Sequence, residues 1–172
     1  MILKRRFYKK ERIYDYTHKR LNDEFRPQVN QLIADEWAGP IVVTKGVAHD
    51  TSDSDGFISV QDGALTGYVL YTIENGQCEI LVLHSLVENQ GIGSALIRSV
   101  MDIAGKSGCS RVWLITTNDN IHAIRYYQRF GFALKGVYID ALDESRKLKP
   151  SIPQFGNENI PIQHEFEFSY TL

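Results

Sequence analysis

Cysteine is scarce in this chain: Cys78 and Cys109 are the two among 172 residues. Two thiols cannot supply the disulfide framework of a small secreted fold, so a reducing compartment, the cytoplasm, is expected. Neither has a histidine or another cysteine at metal-ligand spacing, and no metal is expected. No apolar run approaches the ~18–20 residues that span a bilayer. The N-terminus is charged and lacks the apolar core of a signal peptide, so no membrane partner is expected. Repeats and low-complexity tracts are absent too. A large net charge is also missing: the formal value is −2, which excludes a whole-molecule polycation built for nucleic acid. The charge is nevertheless uneven. Residues 1–20 carry Lys4, Arg5, Arg6, Lys9, Lys10, Arg12, Lys19 and Arg20 against Glu11 and Asp15. Such a basic segment reads as a solvated N-terminal face or as an anion-binding arm.

What is present suits one domain over residues 1–172. Hydrophobic residues make up 43% of the chain, ordinary for a protein with a sizeable core. Apolar Phe25, Val29, Leu32, Ile33 and Trp37 recur at helical spacing, which predicts a helix over 23–37, ended by Gly39-Pro40. Ile41 to Val43 reads as a short strand and residues 49–55 as a polar loop. Strands are expected over 57–60 and 65–73 around an Asp62-Gly63 turn, and over 79–86 after an Asn75-Gly76 turn. Ala95, Leu96, Val100, Ile103 and Ala104 form a one-sided stripe on the next helix. A buried strand over 111–116, a helix opening at Asn120 and a strand over 132–139 follow. Residues 140–163 are polar, with Pro150, Pro153 and Pro161, and read as a long loop of the kind that covers a site. A last strand is expected over 164–170. Hairpins followed by β-α-β-α-β imply a mixed α/β (α+β) sheet with helices on its faces.

Two stretches carry chemistry. In Glu88-Asn89-Gln90-Gly91-Ile92-Gly93-Ser94, a Gly-x-Gly turn links a strand to a helix. Such a turn gathers orphan amides at a helix N-terminus, where an anion is favoured. Glycines 91 and 93 let a phosphate come close to the backbone. The second stretch, Asn120 to Phe132, reads Asn-x-x-Ala-x-x-Tyr-Tyr-x-x-x-Gly-Phe. On a helix, Asn120, Ala123 and Tyr127 share one face.

Together, in this order and spacing, the two stretches resemble the GNAT superfamily of acetyl-CoA-dependent N-acetyltransferases. The resemblance runs well from Gly56 to Ile139 and more loosely over the rest. One departure is Glu88, where the family usually has Gln or Arg. The resemblance implies a largely antiparallel, twisted sheet in which two neighbouring strands splay apart. It implies acetyl-CoA as co-substrate, its pyrophosphate on the amides of Gln90, Gly91, Ile92, Gly93 and Ser94, with Asn120 nearby. It places the pantetheine arm along Leu81, Val82 and Leu83, with the backbone N–H near Leu83 as oxyanion donor. Tyr127 takes the part of general acid, since a phenol of pKa near ~10 can protonate a thiolate of pKa about 8.5 as it leaves.

The base that deprotonates the amine stays open. Glu79 stands in the strand before the loop, where family members hold a carboxylate. His84 is the rival, and a water chain is the third option. Strand parity puts 79 and 84 on opposite faces unless a bulge intervenes. For the acceptor, a small-molecule amine is the expectation, with Trp37 as an apolar wall, Asp50, Asp143 or Glu144 attracting the cation, and residues 140–163 as a lid. A protein N-terminus or lysine is the alternative acceptor. A CoA-binding module without catalysis is the alternative of another class, and a homodimer is an open option.

Overall fold

The computed structural model describes residues 16–172; most of the basic N-terminal run, residues 1–15, lies outside them. Nine strands and four α-helices follow in the order β1 Thr17–Arg20, α1 Arg26–Trp37, β2 Ile41–Thr44, β3 Val47–Asp50, β4 Asp55–Gln61, β5 Ala64–Glu74, β6 Gln77–Ser85, α2 Ile92–Lys106, β7 Arg111–Thr117, α3 Ile121–Phe130, β8 Ala133–Tyr138, α4 Ala141–Leu148 and β9 Glu165–Thr171. Seven strands form one sheet in the order β1-β4-β5-β6-β7-β9-β8, while β2 and β3 pair as a separate hairpin. Within the large sheet only β6 and β7 run parallel.

Three hairpins close on two-residue turns with φ positive at both positions: Lys45-Gly46 (50° and 72°), Asp62-Gly63 (51° and 79°) and Asn75-Gly76 (50° and 69°). That geometry matches strand twist and favours glycine second. On one face of the sheet lies α1, whose buried Val29 and Ile33 pack with Phe25, Ile58, Tyr68, Leu70 and Val82. On the other lie α2 and α3. Leu96, Ile97, Val100 and Ala104 of α2 meet Val69, Ile80, Val112, Leu114 and Phe168, with Tyr127 of α3 in the same cluster. The expected layering of helices on both faces is therefore observed.

The central strand is irregular where it matters. In the β5–β6 ladder Tyr71 faces Ile80 and Leu70 faces Val82, so Leu81 is an extra residue, a bulge. The parallel β6–β7 ladder runs only from Gln77/Arg111 to Ile80/Leu114. Past that point β7 keeps its pairing with β9 through Thr117–Glu165, and β6 keeps β5. The two strands therefore part, which is the splay that the resemblance implies.

Three local readings need correction. His49 and Asp50, taken as the start of a polar loop over 49–55, belong to β3, because the Lys45-Gly46 turn returns the chain along β2. Thr17–Arg20, read as part of a solvated basic face, pairs with β4 as an edge strand. The segment 140–163 is not structureless: it contains α4 and a 3-10 turn at Asn157–Asn159. With eight residues, and with one of its buried positions a serine, α4 shows no apolar period to read. Arg146 then ties the segment down by donating to the carbonyls of Pro153 (2.8 Å) and Ile162 (2.6 Å).

The β2–β3 hairpin is held to the sheet by charge. Glu167 accepts from Lys45 Nζ (3.0 Å), Arg111 Nη1 (2.7 Å) and the Tyr138 hydroxyl (2.6 Å). Burial pushes this carboxyl up, but the hydrogen bonds and the Lys45 charge outweigh it and hold it down to about 2. A carboxyl depressed in the folded state adds stability above its unfolded pKa and loses it as pH falls through the folded one. Glu167→Gln should therefore cost about 1–3 kcal/mol at pH 7. In denaturant titrations the gap to the parent should close between about pH 5 and pH 2.

Candidate active site

Where β6 leaves β7, a cavity of about 1000 Å³ opens. Leu81, Val82, Leu83, Gln90, Gly91, Ile92, Gly93, Ser94, Asn120 and Tyr127 all line it. Ten residues named from the strand before the loop, the loop itself and the later helix thus meet around one space. Glu79 does not line it. It borders a second, smaller cavity of about 150 Å³ with Thr72, Glu74, Asn75, Gln77 and Trp113.

The N-terminus of α2 points at the cavity. Its cap residue Gly91 has φ 75° and no side chain caps the first turn. The amides of that turn are left for a ligand. Gly93 is favoured for a second reason: a Cβ there would lie 3.0 Å from the Tyr126 hydroxyl, which would have to give way. That hydroxyl is 3.1 Å from Ser94 Oγ, so Tyr126 is a polar contact at the loop as well as a packing residue. Glu88 is exposed on the rim of the cavity. Asn120 accepts from the Ala123 amide (3.1 Å), which fixes the start of α3. Gly131, φ 117°, ends that helix. Between them Tyr127 is held by ring contacts to Tyr126, Phe132 and Phe168. Burial, with the neighbouring Tyr126, pushes its phenol up, so it stays protonated at neutral pH.

The bulge at Leu81 resolves the parity question. Cys78 and Ile80 belong to the α2 side, whereas Val82 packs on the α1 side, where His84 stacks on Tyr68 (5.6 Å) and meets Glu36 of α1 (2.8 Å). Glu79 faces that same side, against the β2–β3 hairpin. It accepts from Thr44 Oγ1 at 2.8 Å, and His49 Nε2 lies 3.0 Å from that hydroxyl and 3.9 Å from Glu79. Burial raises Glu79 to about 7, against the lowering effect of the Thr44 hydrogen bond and of Lys45. His84 and Glu36 line the main cavity directly.

Around the rest of the cavity stand Trp37, Thr44, Leu142, Lys149, Ile152 and Glu165. Trp37 is where an apolar wall was expected. Of the acids named as attractors, none lines the cavity: Asp50 holds the Ser52 amide, Asp143 faces Arg146 and Glu144 pairs with Lys147. Glu36 and Glu165 line it instead. Glu165 is 1% exposed and accepts from the Lys45 amide (2.9 Å) and the Ser145 hydroxyl (3.3 Å). Sequence reasoning missed Thr44, Glu36 and Glu165, since each lies far along the chain from both motifs. Among the described residues no helix is long and apolar enough to cross a membrane.

Known proteins agree with this geometry. Residues 12–132 match the profile of the Acetyltransferase (GNAT) family. The Bacillus subtilis (strain 168) protein YdhI, described as uncharacterized, is 36% identical over 88% of this chain and 95% of its own. The streptothricin acetyltransferase of Streptomyces lavendulae is 35% identical over 54% of this chain and 51% of its own. A Bacillus subtilis acetyltransferase solved in complex with CoA superposes with a TM-score of 0.64 at 17% identity, covering 91% of this chain and 99% of that one. The uncapped helix after a parted strand pair and the match over most of the sequence lead to one conclusion: the chain belongs to the GNAT family of acetyltransferases.

Proposed function

We propose that this acetyl-CoA-dependent acyltransferase acetylates a primary amine of a small molecule by direct attack in a ternary complex. The observation that carries the proposal is that the uncapped α2 N-terminus, the parted β6 and Tyr127 share one cavity. The donor set suits CoA. Amides of residues 90–94 would hold the pyrophosphate, and the free backbone edge of Leu81 to Leu83 would pair with the pantetheine amides. Bound acetyl-CoA supplies the thioester carbonyl as electrophile and a thiol as leaving group. Glu79 accepts the proton of the acceptor ammonium, and the Tyr127 phenol donates one to the departing sulfur. Glu36 and Glu165 favour a cationic acceptor beside the apolar Trp37, Leu142 and Ile152. The segment 140–163 walls the acceptor side through Leu142, Lys149, Ser151, Ile152, Pro153, Asn157 and Ile162, which leaves room for a compact substrate. The likeness to an enzyme named for streptothricin supports a small-molecule acceptor.

Three variants test this reading. Gly93→Val puts branched bulk against Tyr126 and over the free amides. It should stay folded in a thermal melt and lose acetyl-CoA binding in a calorimetric titration. Tyr127→Phe keeps the ring contacts and deletes the proton. Turnover, followed by thiol release over a panel of amines, should fall by roughly 10²–10⁴ with little change in cofactor affinity. Glu79→Gln bears on the base. A carboxyl raised to about 7 is a working base once pH passes that value. The variant should be slowest, relative to the parent, near neutral pH and should recover as the amine loses its own proton at high pH. A deficit that is constant with pH would assign Glu79 to support of the fold.

A further inference from the structure

Glu79 is set back from the cavity that holds the other site residues, and one residue bridges the gap. Thr44, at the end of β2, lines the main cavity and donates its hydroxyl proton to Glu79 Oε1 at 2.8 Å. That hydroxyl has a single proton, so the contact of 3.0 Å from His49 Nε2 is one in which the imidazole N–H donates. Burial lowers His49, partly against the pull of Glu74, so the ring is neutral at neutral pH and holds the hydroxyl oriented. Glu79 also borders the smaller cavity with Glu74, Gln77 and Trp113, a space that Thr44 does not line.

We infer that Thr44 is a proton relay: it passes the proton of the bound ammonium to Glu79, which releases it to water through the second cavity. This rests on the reading of Glu79 as the base. The balance is as follows. The ammonium nitrogen gives one proton to Thr44 Oγ1 as Thr44 gives its own to Glu79, so the threonine ends neutral and Glu79 ends as a carboxylic acid. The amine attacks, and its second proton passes from the nitrogen to the Tyr127 oxygen as the new amide forms. Tyr127 protonates the departing sulfur and regains a proton in exchange. One proton in total goes out through Glu79, as conversion of an ammonium to an amide and a free thiol requires. The groups that tune Glu79 are Thr44 and Lys45 of the hairpin, Glu74 of β5 and Glu167 of β9, with His49 of the hairpin 3.9 Å away. Lys45 favours the carboxylate, and the two glutamates favour the acid.

Thiol release from acetyl-CoA, measured against pH with ethylamine and with trifluoroethylamine, tests the relay. Ethylamine is a cation at neutral pH and trifluoroethylamine is not. Thr44→Val should lower kcat/KM for ethylamine by about 10–100-fold near pH 7. The loss should shrink at high pH and be small with trifluoroethylamine. Thr44→Ser, which restores the hydroxyl, should stay within a few-fold of the parent. A loss in Thr44→Val that ignores pH and amine, or a Thr44→Ser as slow as Thr44→Val, overturns the relay. A proton inventory on the parent covers the case in which Thr44→Val does not fold. Two protons moving together bow the dependence of rate on deuterium fraction, and a straight line overturns the proposal. The base reading fails separately, if Glu79→Gln matches the parent at pH 7. A parent that acetylates neither amine overturns the small-amine reading and the relay with it.

Discussion

The ladder between β6 and β7 stops after Ile80 and Leu114, and most of what this protein can do depends on that stop. Had the strands stayed paired to their ends, the backbone groups of Leu81 to Ser85 would be satisfied by β7 and the cavity would be closed. The bulge at Leu81 turns β6 away while β5 still holds it. A bulge bends its strand and strengthens the local twist. It also resets the alternation of side chains, so Glu79 and His84, five residues apart, come to the same side of the sheet. The loop after β6 then delivers the N-terminus of α2 to the mouth of the opening.

The face of the sheet covered by the β2–β3 hairpin shows how one surface gives two carboxyls opposite characters. Glu167 meets two cations and a phenol, and its charge is favoured despite burial. Glu79 meets one neutral hydroxyl, and burial prevails. Lys45 stands between them in the chain's design: its ammonium lies over the rings of Trp113 (5.2 Å) and Tyr138 (4.9 Å) while it pairs with Glu167, and its amide binds Glu165. The hairpin fixed in this way presents Thr44, the neighbour of Lys45, to both Glu79 and the cavity. The same arrangement therefore anchors a structural element and sets the protonation of a candidate base.

The segment from α4 to β9 completes the enclosure. Leu142 and Ser145 are buried beneath it, Lys149 donates to the Ile41 carbonyl (2.5 Å), and Asp119 holds Asn157 (3.0 and 2.8 Å). These ties span the strands on either side of the opening. They hold the segment against the opening, where Leu142, Ile152, Pro153 and Ile162 stand beside Lys149, Ser151 and Asn157.

Much of this was legible in the chain itself. The Asp62-Gly63 and Asn75-Gly76 turns, the stripe of α2 and the Asn120-to-Gly131 helix are local, because turn chemistry, periodicity and caps act over a few residues. The Gly91-Ile92-Gly93 turn and Tyr127 were legible for the same reason, as each lies within a short run of fixed spacing. The hairpin strand Val47–Asp50 and helix Ala141–Leu148 were not, because short polar elements gain their stability from what they pack against rather than from their own pattern. Nor could the sequence place Glu36, Thr44 or Glu165 at the cavity, or choose between Glu79 and His84 by parity. Those depend on a single extra residue in β6 and on contacts between segments 35 and more positions apart, such as Thr44 to Glu79. Sequence alone determined most of the elements and the glycine turn that opens α2, since these are encoded by neighbours along the chain. The tertiary structure decided the surroundings of Glu79 and the walls of the cavity, since burial and long-range hydrogen bonds exist only once the sheet, hairpin and α4 have come together.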